Sequence, residues 1–194
     1  MDRFAVALAA IDAANSGDPN VITVDGVGRP KELAHAELMT RWVQTLDPQC
    51  SEEQVLAARA HHLRRWTIPR DSYPDGRSGY LKWRTALKRQ HADEVGAIMR
   101  EAGYDDESVA RVQTIVRKQG LGQDHAVQVH EDALCLVFLE TQLDELARKM
   151  GDDKTVDILQ KTAKKMSPSG LDAARGLRFS PSATALLDRA LAAS

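Results

Sequence analysis

The sequence is poor in cysteine, in aromatic residues and in strand-forming runs, and it carries almost no net charge. Cys50 and Cys135 are its two cysteines, too few for a disulfide framework or a thiolate metal cluster, so both are expected as reduced, buried thiols. A formal net charge of −2 argues against a general nucleic-acid or membrane-surface binder, which would need a strongly basic balance. No apolar run approaches the roughly 20 residues that span a bilayer. Residues 1–18 are interrupted by Asp2 and Asp12 and lack a basic leader, so they read as a helix and not as a signal peptide. A cytoplasmic, soluble protein is expected. Proline is absent from Asp75 to Ser167, and only Val21–Val24 reads as extended before Gly26 and Gly28 stop it.

What remains is helical periodicity, which predicts an all-α, single-domain helical bundle over residues 1–194. Helices are expected near 2–16, 31–46, 51–67, 78–102, 106–119, 124–150, 153–166 and 180–192. Pro30 suits a first helical position, Ser51-Glu-Glu-Gln54 forms a capping box, and Gly103 and Gly120 suit C-terminal stops. Prolines and glycines from Pro69 to Gly79 predict a loop.

Charge is unevenly distributed. From His61 to His91 there are eight Lys/Arg residues against Asp71 and Asp75, whereas Tyr104 to Asp153 holds eleven acids against five bases. Arg65, Arg70, Arg77 and Arg84 lie among Trp66, Tyr73, Tyr80 and Trp83. Guanidinium forks bind phosphate or carboxylate in pairs of hydrogen bonds, and aromatic faces stack on flat ligands. A basic segment of this kind therefore suits a small anionic or phosphorylated molecule, with Arg65, Arg70, Tyr73, Arg77 and Arg84 as its binding residues. The alternative is internal: the tryptophans anchor the core and the arginines pair with the acidic half.

Helical spacing points His35, His62 and His91 inward from three helices, and Glu131 and Asp132 inward from a fourth. A buried carboxylate is costly unless a cation, a metal or several donors meet it. His35, His62 and His91, with one or both of Glu131 and Asp132, suit a ligand set for a borderline divalent metal. Glu131, His62 and His91 are then the catalytic candidates, with Glu131 as general base. The plain alternative is that each inward histidine is a hydrogen-bonded core residue. His61 is expected to face away from His62, being about 100° around the helix, and His125 and His130 are expected at the surface. Lys165-Met-Ser167 matches a string of class I aminoacyl-tRNA synthetases, but the chain lacks their His-x-Gly-His signature and alternating strands, so it reads as a helix end with a lysine-rich last turn and a proline stop at Pro168.

Nearly the whole chain resembles the family catalogued as domain of unknown function 4202. The resemblance rests on Pro30-Lys-Glu-Leu, on Ala57-Ala-Arg-Ala-His-His-Leu-Arg-Arg-Trp-Thr-Ile-Pro-Arg70 and on Tyr73-Pro-Asp-Gly-Arg-Ser-Gly-Tyr-Leu-Lys-Trp-Arg84. His91-Ala, Glu131-Asp132, Cys135-Leu-Val-Phe-Leu-Glu140 and Lys165-Met-Ser167 extend it. More distantly, the order of residues is similar to that of HD-domain metal-dependent phosphohydrolases. His35 matches the early His, His62 the histidine of the His-Asp pair, His91 the later His and Asp132 the final Asp, at intervals of 27, 29 and 41 residues. The pair's aspartate falls at Leu63, which cannot ligate, so the resemblance implies either a site reduced to one ion held by His35, His62, His91 and Asp132, or a lost metal site with the Arg-rich loop binding an anion instead. The resemblance implies an HD-like hydrolase of a small phosphorylated molecule such as a nucleotide. Two other readings stay open: a non-catalytic module that binds an anionic metabolite or partner protein, and, against the acidic remainder, an RNA-associated protein.

Overall fold

Apolar periodicity and end signals resolve, in a computed structural model that describes residues 2–24 and 26–192, into an all-α architecture with one short β-ribbon. In chain order the elements are α1 Arg3–Ser16, β1 Val21–Val24, β2 Val27–Pro30, α2 Lys31–Leu46, α3 Glu52–Arg59 and α4 Gly76–Glu101. They continue with α5 Asp106–Arg117, α6 His125–Met150, α7 Asp152–Ala163, α8 Pro168–Arg175 and α9 Pro181–Ala192. Single 3₁₀ turns at Arg65–Thr67 and Arg70–Ser72 carry the chain from α3 to α4. Among the described residues, no helix is long and apolar enough to cross a membrane.

Side-chain caps explain several boundaries. Ser51 and Gln54 form the expected reciprocal capping box on α3, and the Asp105 carboxylate accepts from Ser108 N–H at the start of α5. The helix expected over 51–67 ends at Arg59 instead. Residues 60–64 form turns, and Arg64 adopts a left-handed conformation (φ 50°, ψ 35°) with its N–H donated to Asn15 Oδ1 at 3.2 Å. The antiparallel ribbon pairs Val21 with Pro30 and Val24 with Val27.

The chain divides into two compact units, residues 1–130 and 131–194, and α6 begins in the first and continues through the second. In the first unit Ile11, Leu56, Leu63, Val95, Met99, Val109 and Ile115 form a core with no exposure. α4 contributes Trp83, Leu87, His91, Val95 and Met99, a buried row at four-residue spacing. Gly96 lets α5 come close: a Cβ there would lie 2.5 Å from Gln113 Nε2, whose amide donates to Ala92 O at 2.9 Å. In the second unit Leu139, Leu143, Leu159 and Leu186 make the core. α8 lies where the sequence suggested a proline stop. Ser167 is its N-cap and Pro168 its first helical residue, a position where the missing N–H costs nothing. Cys50 is half-buried and Cys135 buried, both as thiols.

Candidate metal and anion site

α2 starts immediately after the ribbon and places Glu32 and His35 on one face of its first turn, three residues apart. The start of the helix is pinned from outside: the Asp18 carboxylate accepts the Glu32 N–H at 2.9 Å and the Asn20 N–H at 2.9 Å. Glu32 is 4% exposed and His35 3%, so this carboxylate is withdrawn from water and must be met by partners. His62 Nδ1 lies 3.1 Å from Glu32 Oε2 and His35 Nδ1 3.5 Å from the same oxygen. One donor atom from each of the three residues falls within 4.8 Å of the others. Two imidazoles and one carboxylate are ligands suited to a borderline divalent ion, and this group can hold one.

Arg65 borders the same group. Its Nε is 4.0 Å from Glu32 Oε1 and its Nη1 3.4 Å from His62 Nε2, while its guanidinium lies 4.6 Å from the centre of the Trp83 ring. Trp83 is fixed in turn by donating its indole N–H to Ile68 O at 2.9 Å. Beyond His62 is a cavity of about 20 Å³, room for one oxygen-sized atom. His61, His62 and His91 line it together with Arg65, Arg84, Lys88 and Lys118.

The histidines form a layered cluster. His61 and His62 rings are 3.8 Å apart, His62 and His91 5.9 Å, and His61 Nδ1 is 3.3 Å from His130 Nε2. His91 Nδ1 donates to Leu63 O at 2.8 Å, which fixes its tautomer when neutral and leaves Nε2 as a bare lone pair. His91 Nε2, His61 Nε2 and His130 Nδ1 are buried with no partner among the described residues. Burial pushes His91 down to about 4 and His130 down to about 3, and nearby Arg65 and Lys118 respectively push in the same direction. Burial also holds His61 and His62 well below the ordinary imidazole range, reinforced by His62 and His130 in the first case and by Arg65 and His91 in the second.

The sequence-derived residues are distributed as follows. His35, His62, His91, Arg65 and Arg84 are at or beside this site. Arg70 is turned to its own loop, donating to Tyr73 O at 2.9 Å and Pro74 O at 3.0 Å; Tyr73 is half-buried and Arg77 exposed on the first turn of α4. Asp132 belongs to the second unit, where its oxygens accept from Ser167 N–H at 2.9 Å and Ser167 Oγ–H at 2.5 Å. Glu131 is buried there with Lys165 Nζ at 3.9 Å.

Two expectations are corrected. His61 does not face away from His62, because α3 has already ended and both rings turn inward from an irregular turn. His130 is 1% exposed, not a surface residue; His125 is on the surface as expected. Glu32 was not singled out, although its three-residue spacing from His35 marks a shared helix face.

No curated protein and no solved structure matches the chain. The family model described as Domain of unknown function (DUF4202) matches residues 5–187, and the chain belongs to that family.

Proposed function

We propose that this site is a metal-assisted phosphohydrolase centre acting on a small phosphorylated molecule. The observation that carries the reading is a shared boundary: the Glu32–His35–His62 donor group and the cation-lined cavity have His62 in common, and Arg65 of the cavity lining lies 4.0 Å from Glu32. Glu32, His35 and His62 would hold the divalent ion, which when bound supplies Lewis acidity and an acidified water. The carboxylate would come from Glu32, with no aspartate needed at Leu63, which lies fully in the core. Arg65, Arg84 and Lys88 would hold the phosphoryl group, one oxygen of which fits the cavity. His91 would be the group that takes a proton, since its Nδ1–H is committed to Leu63 O and its Nε2 keeps a lone pair at the cavity it lines.

The test is elemental analysis of protein purified without chelator, paired with phosphate release from p-nitrophenyl phosphate and mononucleotides in added manganese, cobalt or zinc. Bound metal near one equivalent and turnover that falls in Glu32→Gln are expected. A second reading, a non-catalytic module for an anionic metabolite, is favoured by Arg65, whose guanidinium already supplies a cation to Glu32. Saturable phosphate binding with no metal and no turnover in wild type would replace the first reading by the second.

A further inference from the structure

α5 ends in an unusual way for a helix of ordinary composition. Its C-cap, Lys118, has φ 59° and ψ 40°, and the turn is closed by Lys118 N–H to Ile115 O at 2.9 Å and Gln119 N–H to Thr114 O at 3.0 Å. This left-handed position is the one that glycine fills by default, because a Cβ there crowds the backbone. Glycine does fill the comparable positive-φ positions at Gly103, Gly120 and Gly122. Among the described residues other than glycine, only Arg64 and Lys118 have positive φ. The residue that departs from the rule at the end of α5 is also one that lines the histidine cavity, together with Arg65, Arg84 and Lys88.

We infer that Lys118 is a phosphoryl-binding residue, kept in a conformation that glycine would adopt more readily because its ammonium completes the cation lining of the cavity. The ligand class is a phosphoryl group or another tetrahedral oxyanion, and the inference rests on the anion-binding part of the proposed function. Two independent observations coincide at one residue. A backbone conformation unfavourable to side chains persists where the surroundings or the function require it, and the side chain concerned lines a cavity that Arg65, Arg84 and Lys88 also line. Arg64, the other non-glycine residue with positive φ, does not line the cavity.

The experiment measures inorganic phosphate binding by calorimetry, and Tm without phosphate, for the full chain and for Lys118→Gly, Lys118→Asn and Lys118→Arg. Glycine and asparagine tolerate the left-handed region, so Tm should stay level or rise in both. Their phosphate Kd should rise roughly tenfold to a hundredfold, the range for losing one charge-assisted hydrogen bond. Lys118→Arg should keep binding within a few-fold. Wild type that binds phosphate, with Lys118→Gly binding equally well, overturns this inference and leaves the proposed function intact. A large drop in Tm for both Lys118→Gly and Lys118→Asn overturns it too, because the side chain then serves packing or an ion pair. Wild type that binds no phosphate overturns the inference and the anion-binding reading together.

Discussion

Acidifying the protein from about pH 7.5 to about pH 5 should destabilise it before its carboxylates begin to titrate. The cause is the set of buried histidines held neutral by the fold. His91 illustrates the magnitude: its proton affinity falls from an ordinary 6.5 to about 4 in the folded chain, with burial as the largest cause. A group whose folded pKa is depressed binds protons more readily when unfolded, so acid favours the unfolded state. The loss begins as pH falls through 6.5 and levels off below about 4. At about pH 5 nearly all unfolded chains carry this proton and roughly a tenth of folded chains do, a difference worth about 2 kcal/mol from His91 alone. His61, His62 and His130 shift in the same direction, so their losses add to that figure. Against a typical total of roughly 5–15 kcal/mol, the combined effect is large. Urea unfolding followed by far-UV circular dichroism at several pH values would read it directly. In His91→Gln the slope across the window should flatten by about 1.4 kcal/mol per pH unit, since one titrating group is gone. A wild-type unfolding midpoint unchanged between pH 7.5 and 5 would refute the burial argument for the whole cluster.

Asp124 links two elements, accepting from Arg111 at 2.5 and 3.0 Å and from the Val127 N–H at 3.2 Å at the start of α6. Asp124→Ala should therefore cost about 1–2 kcal/mol at neutral pH, measured as a fall in urea midpoint. Its carboxyl is held down to about 2, chiefly by the Arg111 hydrogen bond, so that contribution is present above about pH 4 and fades as pH falls through 2. Gly170→Ala would place a Cβ 2.6 Å from Asp132 Cγ; a loss of about 1–3 kcal/mol is expected, and an unchanged Tm would show that α8 can shift freely. Glu32→Gln and Asp132→Asn separate the two buried carboxylates. Elemental analysis should show metal lost from the first and retained in the second, and the opposite result would move the metal centre to Asp132.

Much of the helical content was legible because it depends on local patterns. Ser51 and Gln54 announced the start of α3, Gly103 followed the end of α4, and the proline-free run from Asp75 held the 26-residue α4. The errors arose where a local pattern had two physical outcomes. Ser167-Pro168 was read as a stop, yet serine before proline is equally a cap followed by a first helical residue, and α8 starts there. Alternation around His61 and His62 was read as continuing helix, although the backbone turns after Arg59 and brings both rings to one side. The inward direction of His35 and His91 followed from spacing alone. Partners were a different matter. Asp132 is satisfied by Ser167, 35 residues later, and Glu32 by His62, 30 residues later; neither pairing has a signature in sequence periodicity.

The charges around Glu32 make metal and anion binding interdependent under the proposed function. Glu32 carries one negative charge and already faces Arg65 at 4.0 Å. A divalent ion held by Glu32, His35 and His62 would add two positive charges beside that guanidinium. Like charges sharing one carboxylate repel, so the metal alone would bind less tightly than it does with an anion beside it. A phosphoryl group in the neighbouring cavity supplies the missing negative charge, giving Arg65 a second acidic partner and screening it from the metal. Linkage then requires reciprocity: phosphate should raise metal affinity, and metal should raise phosphate affinity by the same factor, on the order of 5–150-fold. Calorimetric titration of manganese or zinc at saturating and at zero phosphate, and the converse titration, measures both sides of this cycle. In Arg65→Gln the repulsion is gone, so metal alone should bind more tightly and the coupling to phosphate should shrink. Metal affinity that ignores phosphate in wild type, or that falls in Arg65→Gln, would show that the two halves of the site do not work on one ligand.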